Sequence, residues 1–464
     1  MATVEQLRDA MLVELAARRR HIDKLQDYYD GEHPFPQPPD KCTSEYQRLA
    51  ADSTLNLCDL VVDSTAERLE PAGVRFSTAP DGDVDVWEAV WQDNDLDAGS
   101  AMVHERALTV GRAFVLVWPL ADGGVSITPE DPGECIVRYQ PGTRTVVAGL
   151  KLVGSDEAAD RTVTLFTPST VYRWRSVPAA GGAASSAGAA RTWELYDPDG
   201  LGDLTPTNPL GSVPLIEFPC RPDMTGCRVR PELTAGVLRV QNQINKTNFD
   251  LAVLGEFMAH PQRYAIGIEQ TKDEQGNDVN PLKAGPQRVW VLDSDDPANA
   301  KIGQLPAADP SGHLKEIEAK VQYLAAITRT PVYYLQAGMV NVSADAIRAA
   351  EAGLVKKVQR HQLVFGERWE QVLRLALSAL NDPRSDDSAV ELVWKSAESR
   401  SMAETVDAAT KKASIGVPFR QLAEDIGYSP QQVRRMNADR AAQQLLGIAA
   451  QAAVNSGSSA PVTG

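Results

Sequence analysis

Cysteine is scarce and scattered in this chain. Of Cys42, Cys58, Cys135, Cys220 and Cys227 only the last two are near each other, at a spacing that suits neither a zinc knuckle nor a redox pair. The five read as reduced, partly buried thiols. The six histidines (21, 33, 104, 260, 313 and 361) never stand at metal-ligand spacing and read as surface or capping residues. There is no GxxxxGK loop followed by Ser or Thr, no HExxH and no GxSxG elbow. The glycine-rich stretch 179–190 has neither the lysine nor the following apolar helix that a phosphate cradle needs. The acidic pairs Asp295-Asp296 and Asp386-Asp387 fall in loop-like stretches and read as solvated carboxylates. No cofactor, no metal and no catalytic constellation is expected.

Long apolar runs are missing too. Nothing approaches the roughly 20 apolar residues that span a bilayer. The charged, helix-periodic N-terminus lacks the apolar core of a signal peptide, so the expectation is an intracellular protein without a membrane partner. Basic residues are outnumbered, 46 Lys and Arg against 62 Asp and Glu, for a net charge of −16. Tight non-specific binding to nucleic acid rests on cations neutralising phosphates, and this balance disfavours it. A wall past which a duplex slides is compatible with it, because acidic surface repels the duplex.

What is present is a chain of 464 residues, enough for several domains or one elongated subunit. Apolar spacing predicts helices over 3–30 and 52–69, then 83–94 and 97–110. Residues 33–39 hold four prolines and predict an extended loop. From 112 the period changes. Short β-prone runs at 112–120, 134–139, 144–152, 161–167, 170–176, 191–196 and 213–218 predict an antiparallel sheet region, interrupted by a low-complexity loop at 179–190. Pro231 suits a first helical turn, and a helix is expected from there to about 260, where Pro261 ends it. Its amides, Gln241, Asn242, Gln243, Asn245 and Asn248, with Lys246, are unusual for a core element. An irregular insert with strands at 264–268 and 288–292 follows. Then come a helix over 311–328, a loop over 331–343, a very long helix over 344–380, a strand at 390–394 and helices at 400–414, 418–426 and 429–448. The Ser/Gly-rich end reads as disordered.

Three segments carry a resemblance. The first runs LQDYYDGEHP (25–34), EYQRL (45–49) and NLCDLVVDSTAERLEPAGV (56–74). The second is TPVYYLQAGMVNVSADAI (330–347), followed by EAGLVKKV (351–358) and FGERWEQVL (365–373). The third is LVWKSAESRS (392–401), AETVDAATKK (403–412) and the Ile426-Gly427-Tyr428-Ser429 helical end. In this order they resemble the portal proteins of tailed phages, specifically the siphophage Gp6-like portal family. Many relatives carry Gly where Ala344 follows the serine here, a departure that bears on the preceding loop.

The resemblance implies an α+β portal fold: an α/β wing, a two-helix stem, a β-containing clip, a long helix and a helical crown. Mapped here, the wing is 1–230, the first stem helix 231–260, the clip 261–310 and the second stem helix 311–330. The tunnel loop is 331–343, the long helix and wing return strand 344–394, the crown 395–450 and a disordered tail 451–464. It implies a ring homo-oligomer, typically a dodecamer, at the capsid vertex of a virion assembled in the host cytoplasm. Double-stranded DNA passes through, and the partners are the terminase large subunit, the major capsid protein, a head–tail adaptor and scaffolding protein. The DNA-facing tunnel-loop residues would be Gln336, Met339, Val340, Asn341, Val342 and Ser343. The stem-lining candidates are Gln241, Asn245, Lys246 and Asn248. Two other readings stay open on the residues alone: another virion component such as a head–tail adaptor or minor capsid protein, and a hydrolase with an Asp/Glu pair in a concave pocket.

Overall fold

The computed structural model describes residues 3–34, 44–77, 83–154, 161–178, 191–198, 200, 202–226, 228–259, 263–266, 301–304, 309–336, 343–398 and 402–457. Along the chain come helix α1 (Val4–Tyr29), α2 (Ser44–Asp52), α3 (Cys58–Ala66), strand β1 (Pro71–Arg75), α4 (Asp83–Val86), a π-helical turn (Trp87–Gln92) and α5 (Leu96–Val110). The strands β2 (Arg112–Pro119), β3 (Val125–Glu130), β4 (Cys135–Tyr139), β5 (Val146–Val153), β6 (Thr162–Phe166), β7 (Val171–Pro178), β8 (Arg191–Leu195) and β9 (Leu215–Pro219) follow. Then come α6 (Ala235–Ala259), β10 (Arg263–Ile266), β11 (Lys301–Gln304), α7 (Ser311–Thr328), α8 (Val332–Leu335), α9 (Ala344–Ala379) and β12 (Glu391–Trp394). Helices α10 (Met402–Ser414), α11 (Phe419–Ile426) and α12 (Pro430–Gly457) close the chain. Two compact units share it: one of residues 1–30, 58–234 and 328–464, the other of 31–57 and 235–327.

In the first unit, α1 starts at a capping box formed by Thr3 and Gln6. Its period-3.6 stripe puts Met11 and Leu15 on a five-stranded antiparallel sheet, β4-β5-β6-β7-β8, against Ile136, Leu150, Val163, Leu165 and Trp174. The guanidinium of Arg8 sits 4.9 Å over the Trp174 ring, so a buried cation rests on an aromatic face. A second apolar layer, with Phe114, Cys135, Val137, Phe166, Val213 and Leu215, joins that sheet to a three-stranded one, β3-β2-β9. Gly149 permits the close approach: a Cβ there would lie 2.9 Å from Val213 and 3.1 Å from Leu215. Helices α5 and α9 pack on the three-stranded sheet. Strand β1 pairs antiparallel with β12, Val74 opposite Leu392, so segments from the two ends of the chain share one ladder.

The deepest part of this unit is aromatic. Trp91, Trp369, Phe218 and Phe365 are fully buried, and Trp87 stacks on Trp91 at 4.5 Å. His104 belongs to this core and not to the surface expected for it: it is 0% exposed and lies parallel to Phe365 at 5.2 Å. His361 is buried as well, and so is His33. Cys58, Cys135 and Cys220 are buried.

Several expected boundaries move, each for a physical reason. The helix expected over 52–69 is two helices, because residues 54–57 run extended and bond to the side chains of α6. The first stem helix begins at Ala235, not Pro231: the Glu232 amide is taken by the Leu108 carbonyl at 2.8 Å, which holds 231–234 out of the helix. The helix expected over 83–94 is a short α-helix and a π-turn. Helix α12 runs to Gly457, so the first seven residues of the expected disordered tail are helical. The low-complexity loop 179–190 and the expected strand 288–292 lie outside the described residues.

Candidate functional site: the paired helices and the segment before the long helix

In the second unit α6 is 25 residues long, about 38 Å at 1.5 Å per residue. Its apolar stripe, Val237, Leu238, Ile244 and Phe249, is buried, and so are two of the amides proposed to face a channel. Gln241 and Asn245 are 0% and 1% exposed. The Leu57 amide donates to Gln241 Oε1 at 3.2 Å and the Leu55 amide to Asn245 Oδ1 at 3.1 Å. Gln241 Nε2 donates in turn to the Leu55 carbonyl and to Asn245 Oδ1, while Asn248 Nδ2 donates to the Ser53 carbonyl. The amide-rich face thus supplies partners to an extended backbone that has no strand beside it. Only Lys246 of the four stands exposed, ion-paired with Asp250 one turn on. Helix α7 presents Val321, Leu324 and Ala325 inward. It is tied to α6 by Lys320, whose ammonium donates to Thr247 Oγ1 at 2.7 Å and the Gln243 carbonyl at 3.3 Å. Between these helices in sequence, β10 and β11 pair antiparallel, Arg263 opposite Gln304.

In the first unit, the segment leading to the long helix has fixed ends. Leu335 is buried. The Tyr333 hydroxyl donates to Glu351 Oε1, and Arg68 Nη2 donates to the Tyr334 hydroxyl at 2.7 Å and to Glu351 at 3.0 Å. Arg68 also reaches the Ala397 carbonyl at 2.8 Å. At the far end Ser343 caps α9, its Oγ accepting from the Ala346 amide at 3.3 Å. Of the proposed tunnel-loop residues, Gln336 and Ser343 are placed at these two ends, half-buried and exposed respectively. Met339, Val340, Asn341 and Val342 lie outside the described residues.

A buried charge cluster lies on the next turns of α9. The Glu232 carboxylate meets His361 Nε2 at 3.1 Å, Lys357 Nζ at 3.4 Å and Arg221 Nε at 3.4 Å. Burial alone would raise its pKa; the His361 hydrogen bond, with Lys357 and Arg221, reverses this and holds it at about 2. For Lys357 burial dominates and lowers its pKa despite Glu232. Cys220, Glu232 and His361 offer ligand atoms within 4.8 Å of one another. With Lys357 and Arg221 already neutralising the carboxylate, a dication there would sit beside two fixed cations, so the donor set is balanced without one.

A recess of about 750 Å³ in the same unit is lined by Tyr29, Asp63, Glu67, Glu70, Asp97 and Glu105 among others. Burial raises the carboxyl pKa of both Asp63 and Glu105, and Tyr29, donating to Asp63 Oδ1 at 2.8 Å, bridges α1 to α3. This is where the hydrolase reading would have to place its acidic pair. The shifts have a structural cause in half-buried carboxyls on packed helices. Of the other lining groups, the Ser100 hydroxyl donates to the Asp97 carbonyl at 3.3 Å, Ser429 Oγ accepts from the Gln432 amide at 3.3 Å and Lys395 is ion-paired with Glu70.

The described residues thus hold an α/β body, a helix pair with a small β-ladder between the two helices in sequence, a fixed-ended segment and a 36-residue helix. Residues 11–425 match the model of the phage portal protein family, SPP1 Gp6-like, and the chain belongs to that family. It is 27% identical over 461 residues to the portal protein of Mycobacterium phage D29, covering 94% of this chain and 89% of that protein. It is 26% identical over 457 residues to the portal protein of Mycobacterium phage L5, covering 95% and 89%. Among solved structures, a chain from the neck of a native gene transfer agent particle, computed with C12 symmetry, aligns at 11% identity with a TM-score of 0.44. That alignment covers 86% of this chain and 97% of that one.

Sequence reasoning missed Glu232, Lys357, Arg68 and Glu351. Each is a charged residue of ordinary appearance, and each has a charged partner 125 or 283 residues away. A weak signal existed: Lys357 and His361 stand at i and i+4 on the face of α9 that carries Leu354, Val358 and Phe365.

Proposed function

We propose that this chain is the subunit of a closed ring, a dodecamer in the virion, which forms the channel at one capsid vertex through which double-stranded DNA is packaged and ejected. The observation that carries the reading is the family match across residues 11–425. The arrangement of the parts supports it. Helices α6 and α7 bracket β10 and β11 as a stem brackets a clip, and a segment with fixed ends stands where a tunnel loop belongs. The lining is built from Lys246 in the stem and from residues 336–343 in the loop, with Gln241 and Asn245 acting behind it as backbone partners. Lys246 is paired with Asp250, and with the net charge of −16 this gives a wall that grips phosphates weakly. The subunit is non-catalytic: Glu232, His104 and Cys220, all shifted in their titration, are buried in packed surroundings and not poised in an open cleft. The terminase large subunit docks through 261–310. The major capsid protein, a head–tail adaptor and scaffolding protein take other surfaces, and assembly takes place in the host cytoplasm.

Mass photometry and negative-stain images test this. A ring at many times the 50.2 kDa subunit mass, with a bore wide enough for a duplex, is expected. Deletion of 337–342 should lower packaging or retention of DNA. Normal packaging and retention with the deletion would remove the tunnel assignment, and a subunit that never closes a ring would remove the whole reading.

A further inference from the structure

The chain passes between its two compact units at 234/235, just before α6, and at 327/328, at the end of α7. On the first unit's side of these two points, Glu232 and Thr328 share one partner, Lys357. Lys357 Nζ donates to the Thr328 carbonyl at 2.9 Å and pairs with Glu232 Oε2 at 3.4 Å. Glu232 in turn is held by His361 and Arg221, and its amide by the Leu108 carbonyl. Thr328 ends α7, so its carbonyl carries the negative end of the helix dipole, which an ammonium stabilises. Lys357, Glu232, Thr328 and His361 are all under 7% exposed. Four buried, mutually dependent groups at the two exits of a helix pair are a costly arrangement for a position with no task, since breaking such a cluster leaves an uncompensated buried charge.

We propose that Lys357, with Glu232 and His361, is a positioning cluster within the first unit that ties the segment 231–234, which leads into α6, to Thr328, the last residue of α7, and holds both residues on the long helix α9; these two points are the roots. The two roots therefore hold or open together. The positional role rests on the reading of α6 and α7 as channel helices; the tie itself does not.

The test is hydrogen exchange on the full-length protein, following peptides over 229–238 and 324–331. Lys357→Met preserves side-chain volume and removes the cation. It should speed exchange at both roots by on the order of a hundredfold while the five-stranded sheet keeps its protection. Lys357→Arg should restore both. In the double variant Glu232→Gln/Lys357→Met the buried carboxylate goes together with the buried ammonium, and the partly exposed Arg221 keeps its bonds to the Arg230 and Pro231 carbonyls, so the first root should recover while the second, still lacking a donor to the Thr328 carbonyl, stays open. Unchanged roots in a folded Lys357→Met protein, or equal loosening across the whole first unit, would overturn the proposal. If Lys357→Met does not fold, native-state exchange of the unmodified protein in low denaturant decides: a common opening free energy for the two roots supports the tie, and separate ones overturn it. Tied roots in a protein whose stem substitutions leave DNA passage intact would remove the channel reading alone.

Discussion

His104 shows how one buried side chain fixes three elements. Its Nδ1 faces the Leu69 carbonyl at 3.1 Å and its Nε2 accepts from Trp369 Nε1 at 2.8 Å, so both ring nitrogens are committed in the neutral form with the proton on Nδ1. Burial lowers its pKa to about 3. The unfolded chain takes up a proton below about 6.5 while the folded one does not, so stability is lost as pH falls from there toward 3. His104→Gln removes that titration. The drop in urea midpoint between pH 7 and pH 5 should be smaller in the variant than in the parent protein. Glu232 acts lower on the scale: its depressed pKa gives stability that is full above about 4.5 and lost as pH falls through about 2.

At the scale of elements, the amides of α6 are the instructive case. Gln241→Leu fits the apolar stripe but orphans the Leu57 amide and the Leu55 carbonyl, a loss of about 1–3 kcal/mol each where buried. Chemical denaturation should register it, whereas Lys246→Gln on the exposed side should change stability by less than about 0.5 kcal/mol. Composition alone marked this helix as odd, and the oddity was real. For Gln241 and Asn245 the inference of a water-facing side does not hold, because whether an amide faces water or a strand-like backbone is decided by Ser53–Leu57, nearly 190 residues earlier. Helix α7 was legible to the residue, since its apolar stripe, Asp309 ahead of it and Pro331 behind it act locally. The π-turn at Trp87–Gln92 was not, because it depends on the stacking of Trp87 on Trp91 and on the edge-to-face contact of Trp91 with Trp369. The antiparallel sheet region was visible in its period-2 runs, but β3 escaped notice: Thr128, Pro129 and Glu130 weaken the pattern, and β2 supplies the order.

For the whole molecule, family membership was visible because it is written in short ordered motifs, while the buried ion clusters were not, because charges carry no periodicity. The ladder between β1 and β12 has a consequence for synthesis. The partner of residue 74 is residue 392, so a nascent chain emerges from the ribosome with β1 as an open edge until residue 392 has been made. An unpaired edge invites wrong partners, and long-range pairing is slow. A chain stopped before Glu391 should therefore aggregate or be degraded, as pelleting and expression tests on truncations at 385 and 398 would show. Translation itself then acts as a proofreader, withholding the closed β1–β12 ladder from any copy that has not been read through residue 394.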